Sequence, residues 1–126
     1  MHRAADRTLT VLRKNTTMKI AVIGSRGLAR IDCDQIGARF GDVIISGGAR
    51  GVDSIAASWA RRHGFAVIEH KPDYRRYGKA APHVRNDLIV ADADRVVAFW
   101  DGKSRGTQST IRKALKHGKR VDIVMC

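Results

Sequence analysis

Five short apolar runs, separated by segments of helical period, constrain this chain more than any other feature. They read "KIAVIG" (19–24), "DVIIS" (42–46), "FAVIEH" (65–70), "DRVVAFW" (94–100) and "KRVDIVM" (119–125). Runs that are apolar throughout, and not at alternate positions, suit strands covered on both faces. Between them, "LARIDCDQIGARF" sets Leu28, Ile31, Gln35, Ile36 and Phe40 at near-helical spacing, interrupted by Gly37. "GVDSIAASWARRHG" puts Val52, Ile55, Ala56, Trp59 and Ala60 on one face, with Gly64 as a stop. A third helix has Pro82 near its first turn and carries Val84, Leu88 and Ala91 inward. "TQSTIRKALKHG" offers Ile111, Ala114 and Leu115 and ends at Gly118. This alternation predicts an α/β fold, a Rossmann-like doubly wound parallel sheet of about five strands in three α/β/α layers.

A chain of 126 residues suits one such domain, which we assign to residues 18–126. Residues 1–17, "MHRAADRTLTVLRKNTT", carry a net +3 and read as a basic, loosely ordered extension. They lack the long apolar stretch of a secretory signal, and no run in the chain reaches membrane-spanning length. Cys33 and Cys126 show neither metal-ligand spacing nor a disulfide framework, which fits a reducing, cytoplasmic location. The 24 Lys and Arg against 12 Asp and Glu leave a formal charge of +12. Such an excess suits polyanionic partners (nucleotides, nucleic acid or an anionic surface), with a generally basic, solubilising surface as the alternative.

In a doubly wound sheet, ligands bind beyond the carboxyl ends of the strands, near the point where strand order reverses. Glycines and hydroxyls collect in the segments leaving those ends. "SGGARGVD" contributes Ser46, Gly47, Gly48, Ala49, Arg50, Gly51 and Asp53. Glycines there permit a sharp turn and close approach, and amides at a helix start favour an anion. A turn that needs glycine only for packing is the alternative. "SRGTQST" contributes Ser104, Gly106 and Thr107, with Thr107 able to cap the helix or donate to phosphate. "GSRG" adds Gly24, Ser25 and Arg26, while Arg85, Asn86 and Asp101 complete the candidate set. Arg26 and Arg85 are the expected phosphate-neutralising cations. No G-x-G-x-x-G fingerprint or Walker A loop is present. The loop "KPDYRRYGKAAP" interleaves Tyr74 and Tyr77 with Lys71, Arg75, Arg76 and Lys79. It can clamp a nucleotide, stack on single-stranded bases, or simply solubilise.

The ordered set "IAVIGSRG", "ISGGARGVD", "HVRN" and "VVAFWDGKSRGTQSTI" resembles the SLOG superfamily, in particular its small YspA/YpsA-related members. The resemblance implies a ligand held between the "GGARG" and "GT" loops: a nucleotide or an ADP-ribose-like small molecule. It also implies a homo-oligomer, for which Trp59 is an interface or a core residue. It implies no resident cofactor or metal. Two branches of the superfamily suggest alternatives. LOG phosphoribohydrolases carry Pro-Gly-Gly-x-Gly-Thr-x-x-Glu, against which "DGKSRGTQST" matches at Gly106 and Thr107 but places Thr110 at the glutamate. A hydrolase would then have to use Asp53 or Asp101. DprA-like proteins, which bind single-stranded DNA, share the "SG-x-A-x-G-x-D" stretch, so a nucleic-acid partner is the other expectation.

Overall fold

The computed structural model describes residues 17–126, so the expected basic extension lies outside the described residues except for Thr17. Five strands form one parallel sheet: β1 (Lys19–Gly24), β2 (Val43–Ser46), β3 (Ala66–Glu69), β4 (Arg95–Trp100) and β5 (Arg120–Met125). Their order is β3-β2-β1-β4-β5. The chain winds outward from β1 to β3 and then returns to the other side of β1. Strand order therefore reverses between β1 and β4, where Gly24 pairs with Phe99.

Alternate residues of the central strands feed two apolar layers. Ile20, Val22, Ile44, Val97 and Phe99 pack on one face against Val52, Ala56 and Ala60 of α1 (Val52–Arg62), together with Cys33 and Ile36. Ala21, Ile23, Ile45, Val96 and Ala98 pack on the other. There they meet Ile89 and Val90 of α3 (Ala81–Asp92) and Ile111 and Ala114 of α4 (Arg105–Lys116). The result is the three-layer α/β/α arrangement expected. A single helical turn, α2 (Tyr74–Tyr77), sits in the basic loop before α3.

Two expected helices differ from the structure. The segment 28–40 forms only one 3-10 turn, Cys33–Ile36. Asp32 takes the Asp34 amide on its side chain, and Gly37 at φ 68 ends the turn in the left-handed region. Arg95 then donates to the Ile36 and Gly37 carbonyls, which a longer helix would have used itself. Phe40, expected at helical spacing with the core residues, is fully exposed. In α3 the buried positions are Ala81, Arg85, Ile89 and Val90, not Val84, Leu88 and Ala91. The inward face carries an arginine, which apolar periodicity alone does not find. Leu115 is likewise exposed, although Ile111 and Ala114 are buried as the pattern suggested.

Candidate functional site

The loops that leave β1 and β4 converge with the start of α1, α3 and the first turns of α4 around a cleft of about 430 Å³. That is within the usual range for small-ligand sites. It stands at the carboxyl ends of the strands, at the reversal between β1 and β4. Of the expected residues, Gly24, Ser25, Arg26, Ala49, Arg50, Asp53, Arg85, Asn86, Asp101, Ser104, Gly106 and Thr107 line it. Ser46, Gly47, Gly48 and Gly51 do not; Ser46 and Gly48 border adjoining hollows.

The "SGGARG" loop is satisfied in part by the protein's own groups. The Ser46 hydroxyl accepts from the Gly48 amide at 3.2 Å and donates to the Asp53 carbonyl at 3.2 Å. Asp53 sits in the first turn of α1, where a negative charge is favoured, and its carboxylate accepts from the Ala49 amide at 3.1 Å. A Cβ on Gly47 would stand 2.8 Å from Asp53 Oδ2 and 2.9 Å from Arg85 Nη1. A Cβ on Gly51 would stand 2.8 Å from the Arg26 carbonyl oxygen, and its φ of 76 already requires glycine. These two glycines make room for the protein itself. Two of the amides expected to hold phosphate, those of Gly48 and Ala49, already have acceptors.

Arg85 is the buried centre of this half. It donates to the Gly47 carbonyl and, through Nε, to Asn86 Oδ1 at 2.7 Å. Burial lowers its pKa, and the charge of Asp53 partly restores it. Burial raises the pKa of Asp53, opposed by the Ala49 amide and by the charges of Arg85 and Arg26. Arg26 and Arg50 are exposed on the cleft wall.

The β4–α4 loop is built differently. Asp101 Oδ1 accepts from the amides of Lys103 and Ser104, each at 2.8 Å, and these bonds hold the carboxyl below the usual range. Ser25, fully buried, takes the Asp101 amide on its hydroxyl and ties the β1 loop to this one. Ser104, not Thr107, caps α4: its side chain accepts from the Thr107 amide at 3.3 Å. The amides of Arg105 and Gly106 lie in the first turn, where a helix supplies no acceptor of its own. A Cβ on Gly106 or on Gly27 would meet nothing within 4 Å. Thr110, at the position of the LOG glutamate, spends its hydroxyl on the Gly106 carbonyl at 3.0 Å.

The cleft also includes Gly27, Pro82, His83, Ser109 and Thr110, none of which was among the candidates. Ser109 and Thr110 lie three and four residues after Gly106, and His83 three before Asn86, so a helical projection from the candidates reaches them. Trp59 packs intramolecularly, its ring centroid 5.4 Å from that of Phe65, against the α1 side of the core. Among the described residues no three His, Cys, Asp or Glu side chains are grouped as a metal site, and no helix is long and apolar enough to cross a membrane.

A family model described as "YspA, cpYpsA-related SLOG family" matches residues 18–77. The Gene 61 protein of Mycobacterium phage D29 is 42% identical over 85 residues, covering 63% of this chain and 68% of that protein. The chain belongs to the YspA, cpYpsA-related SLOG family. An uncharacterized protein of Archaeoglobus fulgidus is 33% identical over 124 residues, covering 82% of this SLOG chain and 78% of its own length. Among solved structures, DNA processing protein A of Helicobacter pylori superposes with a TM-score of 0.63 at 27% identity. That likeness covers 87% of the SLOG chain and 66% of the Helicobacter protein, which binds single-stranded DNA.

Proposed function

We propose that this SLOG chain binds a nucleotide or nucleotide-derived ligand, with a phosphate seated between the loops that follow β1 and β4. One observation carries the reading. The cleft lies at the strand-order reversal, and Gly27 and Gly106 on its walls have open space where a side chain would stand. The first-turn amides of α4 and the side chains of Arg26 and Arg50 supply donors and positive charge suited to phosphate. Binding without cleavage is the preferred form, because Asp53 and Asp101 are both engaged by backbone amides and Thr110 replaces the LOG glutamate. Calorimetry with nucleoside monophosphates, nucleoside diphosphates and ADP-ribose tests this. Saturable one-site binding by at least one of them is expected, with no free base released from the monophosphates. Absence of binding across the panel overturns the reading.

A second reading is favoured by the likeness to the single-stranded DNA-binding Helicobacter protein and by a cationic face on α4. Arg105, Gln108, Ser109, Arg112, Lys113 and Lys116 line a hollow that meets the cleft at Ser109. Among the described residues Arg105, Arg112 and Lys116 have no carboxylate within 4.0 Å, whereas Lys113 pairs with Asp87. A strand leaving the cleft along this face would lose affinity steeply as salt rises. A flat salt response excludes it.

A further inference from the structure

The cleft does not end at Arg26 and Arg50. Those two residues, with Ala49 and Arg85, also line a second hollow of about 510 Å³ whose far wall is Pro72, Tyr74 and Gly48. Four residues are thus shared, and the two spaces are halves of one depression divided by arginines. The chemistry of the halves differs. The first is walled by glycines, hydroxyls and helix-start amides. The second presents an aromatic ring and a proline beside guanidinium groups. The Tyr74 ring stands 59% exposed, although the neighbouring Tyr77 carries the Arg76 guanidinium 5.3 Å from its centroid.

We infer that the second hollow is a base subsite and that the ligand is bipartite. A nucleobase stacks on Tyr74, and a phosphate link passes between Arg26 and Arg50 into the first cleft, where it meets the α4 amides and carries a second sugar. This deepens the nucleotide reading above and rests on it. The chemical class is a nucleoside joined through phosphate to another sugar, met either in a free nucleoside diphosphate sugar or in two adjacent residues of a single strand. Stacking on an aromatic side chain tolerates any base, so the subsite discriminates on the presence of a base and less on its identity. Tyr74 and Pro72 line the second hollow and not the first cleft, so both can be altered with the first cleft's own walls in place.

The test is calorimetric titration of the full chain with ADP-ribose, a 5′-phosphorylated dinucleotide and ribose 5-phosphate. Each is run against wild type, Tyr74→Ala and Tyr74→Phe. ADP-ribose or the dinucleotide is expected to bind at least 10-fold more tightly than ribose 5-phosphate. Tyr74→Ala should lose about 10-fold in affinity for the two-part ligand, and Tyr74→Phe should retain it. Ribose 5-phosphate should bind the three proteins equally. A preference for ADP-ribose over the dinucleotide assigns the free ligand, and the reverse preference assigns the strand. Equal affinity of all three ligands, or a two-part ligand indifferent to Tyr74→Ala, overturns the base subsite and leaves the cleft reading standing. Failure of every ligand to bind wild type overturns both.

Discussion

The two glycine-rich helix starts at the carboxyl edge of the sheet look alike in sequence and are put to different uses. At the start of α1, Gly47 and Gly51 are surrounded by Asp53, Arg85 and the Arg26 backbone, and the neighbouring amides are bonded internally. At the start of α4, the cap and the Asp101 turn order the loop, yet a Cβ on Gly106 would meet nothing within 4 Å, as on Gly27 of the same cleft. The first loop fixes the shape of the cleft; the second leaves open space on its wall. A glycine therefore says only that a side chain is excluded. Whether the excluded volume belongs to the protein or to a ligand depends on residues far along the chain.

The difference can be broken at its strongest point. Arg85→Ala leaves the Gly47 carbonyl without its donor and the half-buried Asp53 without its nearest compensating cation. A loss of about 3 kcal/mol is expected from the denaturant midpoint, together with loss of ligand binding. Arg85→Lys should fall between, because a single ammonium cannot serve both Gly47 and Asn86 as the guanidinium fork does. An unchanged midpoint for Arg85→Ala removes the idea that the first loop is a scaffold.

Alanine at the two glycines should then separate the loops. Gly47→Ala puts a methyl against Asp53 and Arg85 and should destabilise by about 1–3 kcal/mol. Gly106→Ala meets nothing within 4 Å and should stabilise by up to about 1 kcal/mol, through helix propensity. The same substitution narrows the cleft and should weaken ligand binding. A stabilised protein that binds less well is the signature of a glycine kept for a ligand. Equal destabilisation by both substitutions would erase the contrast.

Much of this architecture is legible in the sequence. The three central strands could be read because burial on both faces leaves uninterrupted apolar runs, as in "KIAVIG" and "DRVVAFW", whereas the edge strands β3 and β5 keep apolar residues without a fully buried one. The candidate loops could be placed because doubly wound topology sends every strand's carboxyl end to one edge. The misread elements each depend on a distant partner. Arg95 ends the 33–36 turn from a strand more than fifty residues away, and Arg85 makes a cation part of an inward helix face by reaching Gly47. Local periodicity carries no trace of either bond. For the same reason the sequence of "SGGARG" does not reveal that Asp53 and Arg85 stand where a Gly47 side chain would be.

The smallest expected effect is electrostatic. Asp53 has a raised pKa, so the folded state holds that proton more tightly than the unfolded chain, whose carboxyl titrates near 3.8. The charged form costs stability above the folded pKa, and that cost is relieved as pH falls through it toward 3.8. The same protonation removes a negative charge from the cleft. Affinity for ADP-ribose, whose pyrophosphate keeps its charge, should rise as pH falls from neutrality through that raised pKa. His83→Gln is the background for this titration, since it removes the histidine that lines the cleft. In Asp53→Asn the pH dependence should disappear. Persistence of the full pH dependence in that variant would take Asp53 out of the ligand's field.

The most direct test of the central claim is a titration of ADP-ribose into wild type and Gly106→Val, at temperatures where both are folded by circular dichroism. A Cβ at position 106 meets no protein atom within 4 Å, and in the proposed complex a valine there would compete with the phosphate. The prediction is saturable binding by wild type and at least a 10-fold loss in the variant. Binding of equal strength to both proteins would contradict a ligand seated between the β1 and β4 loops.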